Sequence, residues 1–156
     1  MTIKDEIPIR AGADVVWSLT EDVEGWPQLT PTMTSVERLD RGPLRVGSQA
    51  RIVQPRQRPR VWTVTRLEAP RRFEWQAKLG PVTMTGGHLV EATADGTRNT
   101  LTLELSGPGS RLLGLVGGRQ LAAAIRTENE GFRRAAEATA GHGEARPDRQ
   151  AGGSSR

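Results

Sequence analysis

Residues 72–106, RFEWQAKLGPVTMTGGHLVEATADGTRNTLTLELS, decide the fold class of this chain. Apolar and polar side chains alternate along this stretch, as they do in strands with one buried face. Two turn signals, Gly80-Pro81 and Asp95-Gly96, interrupt the alternation. They leave three predicted strands, at 72–79, 82–93 and 99–106. Strands joined by such short turns pair antiparallel, so the stretch predicts an antiparallel sheet.

The flanking segments complete an α+β domain. Upstream, a predicted strand over Thr2–Ile9 precedes a short amphipathic helix over Ala13–Leu19. Gly25-Trp26-Pro27 prevents the helix from continuing. Three more strands are predicted, at 34–39, 47–54 and 60–68. Downstream, Gly107-Pro108-Gly109 stops the sheet, and a long closing helix is expected to run to Ala140.

Composition fits one globular domain followed by a polar tail. The chain has 156 residues, 35% hydrophobic and 26% charged, enough for a single core. Residues 1–140 are expected to form the domain. Residues 141–156, rich in Gly, Ser and Arg, are expected to be a disordered tail. The absence of cysteine excludes disulfides and thiolate chemistry, and there is no tyrosine.

The first residues, MTIKDE, lack the basic start and apolar core of a secretory signal, which predicts a cytoplasmic protein. Membrane insertion is not expected either, because no apolar run approaches the roughly 20 residues that a spanning helix needs.

Positive charge is concentrated between Arg51 and Arg72, where seven arginines accompany one acid, Glu68. This pattern is typical of a solvated hairpin surface, and it also suits a basic face that steers an acidic carrier protein. Nucleic acid is not an expected partner, because the segment has neither interleaved aromatic residues nor zinc-finger spacing.

Alternation along the strands identifies the side chains of a candidate cavity wall. Phe73, Trp75, Met84, His88 and Leu103 are expected to face inward.

Three other candidate ligand contacts are less regular. Trp62 shares a register with both Val64 and Arg66, so its facing is left open. Gln54 would be a polar anchor at a strand end, and Trp26 would form a lid over the cavity mouth.

The closing helix carries a conflict within its apolar stripe. Leu121, Ile125 and Phe132 fall on one face, and Glu128 lies between them. A buried carboxylate must be paired or neutral. Glu128 is therefore either a structural partner of an arginine or hydroxyl, or a general base with a raised pKa. Glycines in the first half of the helix would mark a kink or leave room for a ligand; they are Gly114, Gly117 and Gly118.

His88 is the only histidine of the predicted domain. It is either a hydrogen-bonded core histidine or an acid/base group that titrates near neutrality. No metal site is expected, because neither a second histidine nor a cysteine supports one, and no cofactor is expected.

The segments ADVVWSLTEDVEGWPQLTP, VWTVTRLEAPRRFEWQA and GGHLVEATADGTRNTLTLELSGP occur in an order that identifies a family. Over about residues 1–140 the chain resembles the polyketide cyclase/dehydrase branch of the START-like (SRPBCC), helix-grip superfamily. The resemblance implies a curved seven-stranded antiparallel sheet around a long C-terminal helix, with two short helices after the first strand and an apolar cavity. It supplies no catalytic motif to transfer.

These observations predict a protein that binds a small hydrophobic molecule, as a cyclase/dehydratase-like enzyme without metal or cofactor. His88 and Glu128 are the candidates for proton transfer, and the other inward side chains, with Ile125 of the helix, would bind the ligand. The alternative is a non-catalytic carrier or sensor of a lipid, quinone or similar molecule.

Overall fold

The computed structural model describes residues 1–144. Its strands are β1 (Thr2–Ile9), β2 (Ser35–Arg38), β3 (Gln49–Val53), β4 (Arg60–Glu68), β5 (Arg72–Leu79), β6 (Val82–Thr93) and β7 (Gly96–Ser106). Its helices are α1 (Ala13–Glu21), α2 (Trp26–Leu29) and α3 (Ser110–Glu144), with a 3-10 turn over Val23–Gly25 between α1 and α2.

In the described part of the chain the seven strands form one antiparallel sheet in the order β1-β7-β6-β5-β4-β3-β2. After β1, the helices α1 and α2 carry the chain to the opposite edge, and the strands then return one by one until β7 pairs with β1. The helix α3 packs against β1, β7, α1 and α2. This arrangement confirms the predicted α+β helix-grip fold.

The β6–β7 hairpin is tighter than the sequence predicts. The strand β7 begins at Gly96, which pairs with Thr93 across a two-residue turn. Gly96 has a φ of 146°, and a Cβ there would collide with the carbonyl oxygen of Ile9. Glycine is needed at this position because it alone tolerates both constraints.

A β-bulge in β4 explains why the alternation of residues did not show which face of the sheet Trp62 occupies. The register with β5 shifts between Val64 and Arg66, which reverses the faces of the residues that follow. Before the bulge, Trp62 and Val64 are buried; after it, Leu67 packs on the core and Arg66 pairs with Glu68.

The core contains every tryptophan and phenylalanine ring of the chain. All six are at most 9% exposed: Trp17, Trp26, Trp62, Phe73, Trp75 and Phe132. Burial of such large apolar surfaces is the main stabilising contribution to a domain of this size.

The helix α3 is longer than predicted and is not ended by its glycines. It continues from Ser110 through Glu144, four residues into the predicted tail. An established helix adds a hydrogen bond with each residue, so Gly141 weakens it without stopping it. The rest of the predicted tail, 145–156, lies outside the described residues.

The candidate ligand cavity

A cavity of about 320 Å³ lies between the sheet and α3. It is lined by nine of the ten predicted site residues: Trp26, Gln54, Trp62, Trp75, Met84, His88, Leu103, Ile125 and Glu128. Strand alternation on β4 to β7 and the helical stripe of α3 direct most of these side chains to one space. Trp26 comes from α2, and Gln54 directly follows β3. Their placement is observed, and their roles in binding or catalysis remain predictions.

Phe73 is the tenth predicted residue, and it does not line the cavity. Its side chain is completely buried behind the wall, with its ring centroid 5.1 Å from Trp75 and 6.0 Å from Trp26. Alternation assigned the correct face, but an inward side chain can be covered by its neighbours, and here the larger tryptophans cover it.

Trp26 is not a lid. It is 1% exposed, and its indole Nε1 donates a hydrogen bond to the carbonyl oxygen of Leu19 at 3.0 Å. The ring packs within 5.7 Å of the ring centroids of Trp75, His88 and Phe132. Trp26 therefore forms the inner end of the cavity, because the short α2 turns it into the core.

His88 is inward-facing, as predicted, but it does not titrate near neutrality. Three aromatic rings surround it, with centroids 4.9 Å (Trp26), 5.4 Å (Phe132) and 5.6 Å (Phe73) from the imidazole. Its Nδ1 is buried without a hydrogen-bond partner. Burial away from water disfavours the imidazolium and lowers the pKa of His88 from 6.5 to about 3. The ring is therefore neutral at physiological pH.

The pKa of Glu128 is shifted upward, in contrast to that of His88. Burial raises the pKa of its carboxyl from 4.5 to about 7, and a hydrogen bond from the Thr32 hydroxyl partly offsets the effect. Thr32 Oγ1 donates to Glu128 Oε1 at 2.9 Å, and Thr30 Oγ1 lies 2.9 Å from Thr32 Oγ1. No arginine in the described residues forms an ion pair with Glu128, so the predicted structural pair is with a hydroxyl and not with a cation.

Asn129, the next residue of α3, fixes the rotation of the helix. It is fully buried, and its Oδ1 accepts a hydrogen bond from Asn99 Nδ2 of β7 at 2.8 Å. Its own Nδ2 donates to Asp5 Oδ2 of β1 at 2.9 Å. This network ties one face of α3 to two strands, which leaves Glu128 turned toward the cavity. It was not predicted from the sequence, although a polar residue at a buried helical position could have revealed it.

Three polar residues at the cavity mouth were not predicted either. Gln57, Arg60 and Gln120 line the cavity and retain solvent exposure, in contrast to the buried inner wall. The signal was present for Arg60, which precedes Trp62 by two residues and therefore shares its face of β4.

The arginine-rich segment divides into two groups. Four arginines lie within 4.0 Å of a carboxylate on the sheet surface: Arg51, Arg66, Arg71 and Arg72. The other three form no ion pair within residues 1–144, and they fall on the β3–β4 loop and the first position of β4: Arg56, Arg58 and Arg60.

Within residues 1–144 no three His, Asp or Glu side chains converge as a metal site would require. In the same part of the chain, every helix is too short or too polar to span a membrane.

Known proteins resemble this chain in sequence and in fold. The model of the family described as "Polyketide cyclase / dehydrase and lipid transport" matches residues 1–137. A 60-residue stretch, 38% of this chain, is 40% identical to the "Putative polyketide cyclase" of Streptomyces halstedii, and it spans 54% of that protein's length. The match with this chain thus spans about half the length of that relative.

Solved structures share the architecture. The Zhui aromatase/cyclase of a Streptomyces species superposes with a TM-score of 0.64 at 22% identity, covering 91% of this chain and 94% of that one. The di-domain ARO/CYC of the steffimycin biosynthetic pathway gives 0.72 at 14% identity, over 90% of this chain and 51% of that one. A Thermus thermophilus protein superposes with a TM-score of 0.72 at 18% identity, covering 89% of this chain and 99% of that one. At these identities the likeness is one of fold.

Proposed function

The chain belongs to the polyketide cyclase/dehydrase and lipid transport family, and on that premise we propose that it cyclises and dehydrates a polyketide-like substrate in the cavity. The observation that carries the proposal is Glu128, a carboxyl with a pKa of about 7 in a wall otherwise built mainly from aromatic and aliphatic side chains. Such a group exchanges a proton readily at neutral pH, where an ordinary carboxyl is always ionised.

In the proposed reaction, the Glu128 carboxylate removes a proton from a methylene carbon between two carbonyls. The enolate carbon then bonds to a third, more distant carbonyl carbon of the same substrate molecule. The oxygen of that carbonyl becomes an alkoxide, which takes the proton back from Glu128. Loss of the new hydroxyl and one neighbouring hydrogen as water gives the conjugated ring. One carboxyl serves as base and then as acid, because its pKa lies near the working pH.

His88 contributes to this scheme as a neutral imidazole. Its low pKa excludes an imidazolium acid, so its part is to hydrogen-bond a substrate oxygen or hydroxyl. The tryptophan wall would hold the flexible chain in a reactive conformer, and such positioning supplies much of the rate gain in intramolecular reactions. Trp62 and Trp75, whose ring centroids are 5.5 Å apart, both belong to that wall.

The test uses a synthetic poly-β-ketone thioester, with products followed by mass spectrometry as the loss of one water. We expect turnover by the wild type, a loss of at least a hundredfold in Glu128→Gln, and a smaller loss in His88→Gln. Glu130→Gln, two positions away on α3, is the matched control and should retain activity. Full turnover by Glu128→Gln would contradict the mechanism, while ligand binding could still hold.

The proposal includes an acidic carrier protein that delivers the substrate. Arg56 and Arg58 supply positive charge beside the mouth, and Leu115 and Val116 of α3, 84% and 77% exposed, add apolar surface near the lining residue Gly117. An acidic partner with some apolar surface complements such a face.

The double variant R56E/R58E should weaken capture of a carrier-tethered substrate tenfold or more at low salt. The variant R10E/R134E carries the same change in charge on a surface that does not line the cavity, and it should not weaken capture. Equal behaviour of the two variants would argue against a docking face. Exclusion of nucleic acid and a cytoplasmic location stay predictions of the sequence.

The second candidate is a non-catalytic carrier or sensor of a lipid, quinone or similar molecule. It is favoured by the composition of the wall, in which Arg60 and Glu128 are the only charged residues among the described lining. Native mass spectrometry followed by denaturing extraction separates the two. A stoichiometric ligand that is never converted supports the carrier, and a product from an added substrate supports the enzyme.

A further inference from the structure

Arg60 is the one arginine among the described residues that line the cavity. It occupies the first position of β4 and shares the inward face with Trp62. Its Nη1 donates a hydrogen bond to Gln57 Oε1 at 3.1 Å. Within residues 1–144 it forms no ion pair with any carboxylate.

Outward-facing arginines of the same region behave differently. Arg51 pairs with Glu37 at 3.6 Å, and both Arg66 and Arg72 donate to a carboxylate at 2.8 Å. The sheet therefore supplies acids for its surface arginines, while the arginine that faces the cavity is held by a neutral amide. A guanidinium held in this way keeps most of its donors for another acceptor.

The surroundings of Arg60 define one end of a site. Gln54, Gln57 and Gln120 add neutral amide groups around the mouth. Beyond them, in the direction of Trp62, the wall becomes apolar. The remaining charged lining residue, Glu128, forms no ion pair with Arg60.

We infer that Arg60, with Gln57 as its brace, recognises an anionic oxygen group at one end of an otherwise apolar ligand. The inference rests on the proposed function in that it requires the cavity to admit a ligand. It adds the chemical class, an amphiphile with its carboxylate, phosphate or sulfonate at the mouth and its apolar body against Trp62 and Trp75. Charge-assisted bonds to a planar guanidinium favour such oxygen pairs.

The experiment uses two fluorescent probes that share an aromatic body. 1-Anilinonaphthalene-8-sulfonate carries an anion, and N-phenyl-1-naphthylamine is its uncharged counterpart. Both are titrated into the wild type, Arg60→Gln and Arg41→Gln. Arg41 is the matched control, because it is an exposed arginine that forms no ion pair within residues 1–144 and does not line the cavity.

We expect Arg60→Gln to weaken binding of the sulfonate about tenfold and to leave the uncharged probe within twofold. Arg41→Gln should change neither by more than twofold. Equal losses for both probes in Arg60→Gln, or equal losses in the two variants, would overturn the anionic site. If the uncharged probe binds and the sulfonate has no Arg60-dependent advantage, the inference fails while the cavity stands. If neither probe enters the wild-type protein, the inference and the proposed function fail together.

The anion could belong to the substrate itself or to the tether of a carrier protein, and competition separates these sources. Displacement of the uncharged probe by decanoate, and not by methyl decanoate, assigns the site to a carboxylate of the substrate. Displacement by 4′-phosphopantetheine, and not by pantetheine, assigns it to the tether. Either preference should disappear in Arg60→Gln, and uncharged competitors that act equally well would contradict the inference.

Discussion

The inner end and the mouth of the cavity differ in what holds their side chains. At the inner end, Trp26 and His88 lie in a cluster of aromatic rings with centroids about 5 to 6 Å apart, and they are at most 5% exposed. At the mouth, Gln57 and Arg60 are held by one hydrogen bond between them. Dense packing fixes the first group, whereas the second can reorient toward a ligand.

The difference follows from position in the sheet. The inner end is built on the central strands β5 and β6 and is covered by α2 and α3. The mouth is built on the loop between β3 and β4 and on the first half of α3. Substitutions at the inner end should therefore act first on stability, and those at the mouth first on binding.

The largest effect is expected for Trp26→Ala. Removal of this buried ring leaves a cavity among Phe73, Trp75 and Phe132, and such changes cost about 3–5 kcal/mol of unfolding free energy. Urea unfolding measures the loss. Gln57→Ala at the mouth is the control, and should stay within about 0.5 kcal/mol of the wild type. Similar losses at the two sites would remove the contrast between the ends.

The next effect is the pH dependence of stability caused by Glu128. Its folded-state pKa of about 7 exceeds the ordinary 4.5, so its contribution is fully present below pH 4.5 and is lost as the pH rises through 7. At pH 8 the loss should be roughly 3 kcal/mol in the wild type. Glu128→Gln has no such titration, and its unfolding free energy relative to the wild type should rise between pH 5 and pH 8.

The control for this prediction is Glu130→Gln, which should follow the wild-type profile. His88 contributes with the opposite sign, because its lowered pKa removes stability as the pH falls from 6.5 toward 3. All three proteins contain His88, so its contribution cancels in their differences. A constant difference between Glu128→Gln and the wild type would show that the carboxyl is not desolvated.

A smaller effect is expected for Thr32→Val, which removes the hydroxyl that donates to Glu128. That hydrogen bond favours the ionised carboxylate, so its loss should raise the pKa of Glu128 further. Difference infrared spectroscopy would follow the protonated carboxyl band as the pH increases. Thr32→Ser keeps the hydroxyl and should restore the wild-type titration, a result that a merely structural role of Thr32 would not give.

The smallest effect is expected for Gly117→Ala at the mouth of the cavity. Gly117 is helical and lines the cavity, and a Cβ added to it would have no atom within 4 Å. Gly117→Ala should raise the unfolding free energy by about 1 kcal/mol, because alanine favours the helix, while its methyl group reduces the space for a ligand. Binding of N-phenyl-1-naphthylamine should weaken severalfold. Gly141→Ala also adds a methyl in a helical position with open space around it, and it should leave binding unchanged.

The side chains that face the cavity were predictable on strands where apolar and polar residues alternate regularly. Met84, His88 and Leu103 were placed correctly, because each inward position repeats every second residue. Trp62 was not predictable, because the bulge between Val64 and Arg66 changes the period and has no sequence signature of its own. Trp26 was placed at the wrong end of the cavity, since the short helix that turns it inward is fixed by contacts with distant strands.

The sequence by itself determined the order of the elements, their pairing in an antiparallel sheet, and the presence of one carboxyl on the apolar stripe of the last helix. These features follow from local periodicity and turn chemistry, which operate over a few residues. Only the tertiary structure decided how His88 and Glu128 titrate and which arginines have an acidic partner. The pKa of a buried group and the partner of a charge depend on residues that are distant in the chain and adjacent only after folding.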